Sequence, residues 1–151
     1  GVHSFGPSLR QLADAIGLPL DSVESGGELG LATRDITIAA GTLAAGTVAA
    51  QRMIVTGHHD GREIVRFRAT WFCSHELDQD WNLLDTGWRV SVQGDAPLEV
   101  ELRFPITLEQ MADTTPGYTA NRAVNAVPYV CAARPGILTT VDLPYVLPSL
   151  R

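Results

Sequence analysis

A chain of 151 residues, 45% hydrophobic and 19% charged, has the size of one domain and enough apolar material for a core. Its net charge of −6 argues against a nucleic-acid partner, because phosphate contacts need clustered Lys and Arg. No window approaches the roughly 18 consecutive apolar residues of a membrane span, and no charged segment followed by an apolar one marks a signal peptide, so a soluble, cytoplasmic protein without a membrane partner is expected. All 11 basic residues are arginines, which removes lysine Schiff-base and P-loop chemistry. Cys73 and Cys131 form no CxxC pair and read as two buried free thiols, one on a strand and one on a helix.

The first predicted element is a helix over Ser8 to Ile16, where Leu9, Leu12, Ala13 and Ile16 recur at helical spacing between Pro7 and Gly17. Leu18 to Val23 leads into a strand. Farther on, Ala39-Ala40-Gly41-Thr42 recurs as Ala44-Ala45-Gly46-Thr47. These small-residue turns suggest a tight crossover or bulge between strands; a phosphate loop would need a following Lys-Ser/Thr or a third glycine. Two β-rich runs, Val48 to Thr56 and Arg62 to Ser74, flank His58-His59-Asp60-Gly61, and Asp-Gly there predicts a hairpin. Val65, Phe67, Ala69, Trp71 and Cys73 fall on one strand face, with Arg66, Arg68 and Thr70 on the other. Trp88, Val90 and Val92, then Leu98, Val100, Leu102 and Phe104, alternate in the same way around a turn at Asp95-Ala96-Pro97. These three segments predict one antiparallel sheet with a covered face. Tyr118 to Ala133 then changes period. Ala120, Val124, Val127 and Cys131 make a helical stripe meant to face the sheet, Thr119 is the expected N-cap, Pro128 a kink, and Arg134-Pro135-Gly136 the end. The fold class is α+β: an open, mainly antiparallel sheet with helices packed on one face, in a single domain over residues 1–151.

Few residues point to chemistry. Adjacent histidines on a strand face opposite sides, so His58-His59 reads as a pair of exposed turn residues rather than a metal site. The run His75-Glu76, Asp78 and Asp80 reads as a solvated loop pinned by Trp81. Arg66 and Arg68 against Glu99 and Glu101 read first as a cross-strand ion-pair ladder, then as an anion-binding face or a face covered by a second subunit. Asn121 and Asn125, four apart on the last helix, ask for a reason, since Asn is a poor helix-interior residue. The amides either dock the helix to a loop or line a ligand cleft. With the apolar stripe against the sheet, Thr119, Asn121 and Asn125 are expected to bind substrate at a cleft edge. No catalytic residue, metal ligand or dinucleotide fingerprint is assigned.

From Ala44-Ala45-Gly46-Thr47-Val48-Ala49-Ala50-Gln51-Arg52 onward, and most clearly at Thr119-Ala120-Asn121-Arg122-Ala123-Val124-Asn125-Ala126-Val127-Pro128, through Ala133-Arg134-Pro135-Gly136-Ile137 to Asp142-Leu143-Pro144, the chain resembles the C-terminal domain of dihydrodipicolinate-reductase-like proteins. That group includes 2,4-diaminopentanoate dehydrogenase and the NAD(P)H-dependent amine dehydrogenases. The resemblance implies a preceding Rossmann domain that carries NAD or NADP, with no cofactor on this part alone. It also implies that this part closes the cleft over a small-molecule substrate and builds a homo-oligomer. The Glu-x-His-His-x-x-Lys motif of true dihydrodipicolinate reductases is incomplete here: Thr56 stands in place of the Glu, and Arg62 or Ile64 in place of the Lys. An amine, imine or amino-ketone therefore fits better than the lysine-biosynthesis substrate. The alternative is a stand-alone ligand-binding or dimerisation domain without catalysis.

Overall fold

The computed structural model describes residues 5–139 and 142–147. Helices and open antiparallel sheets make the chain α+β. It comprises two compact units, one running to Leu83 and the other starting at Leu84. The three alternating segments expected in a single sheet are divided between them.

In the first unit, α1 spans Gly6–Ala15, two residues ahead of the expected start, with Pro7 in the first turn where its missing N–H costs nothing. Leu9 and Ala13, one turn apart, are buried, whereas Leu12 and Ile16 of the same stripe are exposed. A ten-residue helix touches the sheet it lies on along one line, so half of the stripe is left over. The sheet order is β1 (Ser22–Leu31), β4 (Val48–His59), β5 (Arg62–Phe72), all antiparallel. Leu9, Ala13, Leu20 and Val55 form the core, extended by Phe5, Val23, Met53, Ile64, Val65 and Phe67. The Phe5 and Phe67 rings are 4.5 Å apart.

The β4–β5 hairpin turns at Asp60 (φ 49°) and Gly61 (φ 68°), the left-handed pair of a type I′ turn. His58 and His59 belong to β4, opposite Glu63 and Arg62, and are half-buried, so they are not the exposed turn residues expected. The strands are long enough to absorb them into the ladder. The repeated Ala-Ala-Gly-Thr segments are backbone geometry. The first joins β2 (Ile36–Ile38) to β3 (Gly41–Leu43), and the second turns into β4, with Thr47 Oγ1 donating to the Ala44 carbonyl at 2.6 Å. Cys73, just past β5, is exposed, as is Cys131; neither thiol is buried as expected.

In the second unit β6 (Trp88–Val92) pairs with β7 (Leu98–Leu102). Trp88, Val90 and Val92 share a face with Leu98, Val100 and Leu102, yet of these only Val100 is less than exposed. The covered face expected from their alternation is open among the described residues. The last helix, α2, spans Leu108–Ala132 and begins eleven residues before the expected N-cap. Thr107 caps it in a reciprocal box: its hydroxyl accepts from Gln110 N at 3.3 Å, and Gln110 Oε1 accepts from Thr107 N at 2.9 Å. Pro116 and Pro128 both lie inside the helix. Each removes one backbone donor, but the helix continues through both. Just before Pro116, Thr115 donates its hydroxyl to the Met111 carbonyl at 2.6 Å. Thr107→Ala should therefore cost about 1 kcal/mol locally, read as several-fold faster amide exchange at Gln110 and Met111; unchanged exchange would place the helix start elsewhere. Among the described residues no helix is long and apolar enough to cross a membrane.

Candidate functional site

Thr119, Asn121 and Asn125 all fall in the body of α2. At about 100° per residue, Asn121 and Asn125 share a face, whereas Thr119 is turned about 200° from Asn121. The helix thus keeps the two amides together and separates them from Thr119, which is not its N-cap. Thr119 and Asn121 are exposed and Asn125 is half-buried. Among the described residues none of the three side chains has a hydrogen-bond partner, so the amides tie down no described loop. The apolar stripe does not take the sheltered side expected of it: Val124 and Val127 are 65% and 56% exposed, and Cys131 is exposed as well. The half-buried side of α2 includes Gly117, Asn125 and Tyr129 instead.

At the end of α2 a depression of about 400 Å³ is lined by Tyr129, Arg134, Asp142 and Leu143, among others. Thr139 fixes one of these lining side chains. Its backbone N–H and its hydroxyl both donate to Asp142 Oδ2 at 2.8 Å. The backbone bond first, then the hydroxyl, holds the Asp142 carboxyl below the usual aspartate range. The Asn121–Asn125 pair does not line this depression.

In the first unit the most engaged charged group is Arg52. Its Nε donates to Thr70 Oγ1 at 3.0 Å and its Nη2 to the Trp81 carbonyl at 3.2 Å, while its guanidinium carbon lies 4.3 Å from the Trp81 ring centre. Burial lowers its pKa, opposed by Glu28 and reinforced by Arg68. Around it the acidic run behaves as a pinned loop. Leu31 N donates to Asp78 Oδ1 at 2.7 Å, Asp78 N to the Leu31 carbonyl at 3.0 Å, and Arg34 pairs with Glu76 at 3.1 Å. Asp78 holds Leu31 at the end of a strand and Glu76 holds Arg34 beyond it, so these acids do not converge, as acid–base chemistry would require. The anchoring role of Arg52 was missed in the sequence; its one signal is a charge set between Ala50 and Met53 in an apolar strand.

His59 stands near two carboxylates. Asp21, Asp60 and His59 present ligand atoms within 4.8 Å of one another. The bonds made there are structural: His59 Nδ1 donates to the Pro19 carbonyl at 2.6 Å, and Asp60 N donates to the Asp21 carboxylate. They pin the hairpin tip to the α1–β1 link. Asp21 comes from 38 positions before His59, a proximity that spacing does not show. The Arg66/Arg68–Glu99/Glu101 ladder does not form, because those residues belong to different sheets. Arg66 instead bonds Glu63, and Glu101 accepts from Arg89 at 2.6 Å and Arg103 at 3.0 Å. Those bonds, Arg89 first, hold the Glu101 carboxyl below its usual range.

Three comparisons bear on this arrangement. The family described as the 2,4-diaminopentanoate dehydrogenase C-terminal domain matches residues 1–149. No curated protein matches. Among solved structures, the amine dehydrogenase from Mycobacterium smegmatis superposes with a TM-score of 0.64 at 22% identity, over 96% of this chain and 40% of that one. At that identity the likeness is one of fold, and the chain spans less than half of that dehydrogenase's length. The match over nearly the whole length decides the assignment: this chain belongs to the 2,4-diaminopentanoate dehydrogenase C-terminal domain family.

Proposed function

We propose that this chain is the substrate-cleft and oligomerisation domain of a nicotinamide-dependent oxidoreductase acting on an amine, imine or amino-ketone. The observation that carries the reading is the family match over residues 1–149. A C-terminal domain works with an N-terminal one, and a Rossmann domain there is the natural carrier of NAD or NADP. The described residues do not fit the dinucleotide themselves. The start of α2 follows no Gly-rich turn from a strand, and its Gln110 amide is already taken by Thr107. No step of hydride transfer is assigned to this chain. Its part is to bind and orient the substrate, with the Asn121 and Asn125 amides on one side of α2 as the polar lining. Each such hydrogen bond contributes on the order of 1 kcal/mol net. Thr119, on a different face, has no part in that pair.

Calorimetric titration of this chain with NADH and NADPH should give no binding heat; tight stoichiometric binding of either would overturn the division of labour. In the protein that also carries the N-terminal domain, Asn125→Ala should lower kcat/KM by about fivefold, the equivalent of one net hydrogen bond, with the melting temperature nearly unchanged. A several-degree drop with normal kinetics would show that the amide is structural.

A further inference from the structure

We propose that Asp21, His59 and Asp60 bind one divalent first-row metal ion, of the zinc kind, at the tip of the β4–β5 hairpin. Their ligand atoms all lie within 4.8 Å of one another. His59 and Asp60 stand at the hairpin turn, and Asp21 comes from the link between α1 and β1. The bonds around them decide which atoms are free to bind. A carbonyl oxygen can only accept, so the bond from His59 Nδ1 to the Pro19 carbonyl at 2.6 Å places the ring proton on Nδ1. The neutral ring then carries its lone pair on Nε2, 3.8 Å from Asp60 Oδ2. Pro19 lies outside the cluster, and an imidazole held at its far nitrogen by a backbone carbonyl is oriented as metal-binding histidines are. Asp21 Oδ2 accepts from the Asp60 N–H, which leaves the other Asp21 oxygen without a partner among the described residues.

The charge at this point also calls for a cation. Glu28, Glu63, Glu76 and Glu101 each face an arginine. Asp21 and Asp60 face each other instead, and among the described residues neither pairs with an arginine. A divalent ion balances both carboxylates at once. Metal–ligand bonds of about 2.0–2.2 Å put two ligands of one zinc about 3–4 Å apart, so the 3.8 Å between His59 Nε2 and Asp60 Oδ2 already fits. The Asp60 side chain is 87% exposed and turns between rotamers, which closes the remaining separation from Asp21. One imidazole and two carboxylates suit zinc and its first-row neighbours, whereas magnesium and calcium take oxygen donors. Only one histidine takes part, so the opposed faces of His58 and His59 are no obstacle. The ion clamps the hairpin tip to the α1–β1 link, where Asp21 N already donates to the His58 carbonyl at 2.9 Å.

Calorimetric titration of the chelator-stripped chain with zinc chloride tests this. The exposed thiols are taken out of competition by Cys73→Ser and Cys131→Ser. One zinc should bind per chain, raise the melting temperature and slow amide exchange at Asp21 and Asp60, with no comparable response to magnesium or calcium chloride. Asp21→Asn, Asp60→Asn and His59→Gln should each raise the zinc dissociation constant at least about tenfold. The two asparagine variants keep the fold. Asparagine accepts the left-handed backbone at position 60 (φ 49°), and at position 21 its side-chain oxygen still accepts from the Asp60 N–H. Circular dichroism of each variant checks this. Failure of zinc to bind at millimolar concentration, or binding that all three substitutions leave unchanged, would overturn the site. An equal response to magnesium would show carboxylates acting without His59, and would overturn it too.

Discussion

Replacing Gly57 by alanine should cost about 1–3 kcal/mol of stability, because the site is already full. Gly57 lies in β4 between Val23 of β1 and Val65 of β5. A Cβ there would sit 2.5 Å from Leu20 Cδ1 and 2.8 Å from Val65 Cγ1. Leu20 is 8% exposed and part of the core, so its side chain has little room to withdraw. Val65 is β-branched and stiff about its first torsion, so it yields by moving backbone. The ladder also slips between Gly57 and His58, which concentrates the disturbance next to the hairpin. For a chain of this length the melting temperature falls by about 2–4 °C for each kcal/mol. A thermal melt of Gly57→Ala that overlays the unmodified chain would mean that Leu20 and Val65 do not close over this glycine.

The second large effect is expected at Arg52. Arg52→Ala removes the donors to Thr70 and to the Trp81 carbonyl, and the cation beneath the Trp81 ring, all at once. The side chain is 13% exposed, so the cut leaves its acceptors facing a gap rather than bulk water. The loss should be about 1–3 kcal/mol, combining an unpaired acceptor with a broken cation–π contact. It should appear first in the loop over residues 74–83, as faster amide exchange at Leu31, Thr33 and Asp78, whose N–H groups tie that loop to β1 and to the chain just after it. Arg52→Lys should recover only part of the protection, since an ammonium neither stacks flat nor forks between two acceptors. Unchanged exchange at those three amides in Arg52→Ala would show that the loop is held without the arginine.

Elements that depend on neighbours in sequence were legible before the structure. The Asp60-Gly61 hairpin follows from two residues that accept left-handed backbone. The alternation in β5, β6 and β7 follows from the strand period, and the α+β class from helical and strand periods occurring in turn. The start of α2 was misplaced for a local reason as well. Pro116 argues against a helix passing through it, and the Thr107–Gln110 box outweighs that argument. The pairing of Asn121 with Asn125 was also legible, because four residues make about one helical turn. The chain's family follows from its sequence along nearly its whole length.

Only the tertiary structure decided which periodic faces are covered, because burial depends on what a segment meets and not on its own pattern. Leu9 and Ala13 are buried while Leu12 and Ile16 are not, since one short helix crosses the sheet along a single line. The alternating segments divide among separate sheets, since alternation specifies a strand but not its partner. Arg52 found Trp81, and His59 found Asp21, across 29 and 38 positions of chain, distances over which no spacing rule operates. Local chemistry in the sequence sets each element and its faces; chain closure over long separations sets which faces meet, and with them the anchor at Arg52.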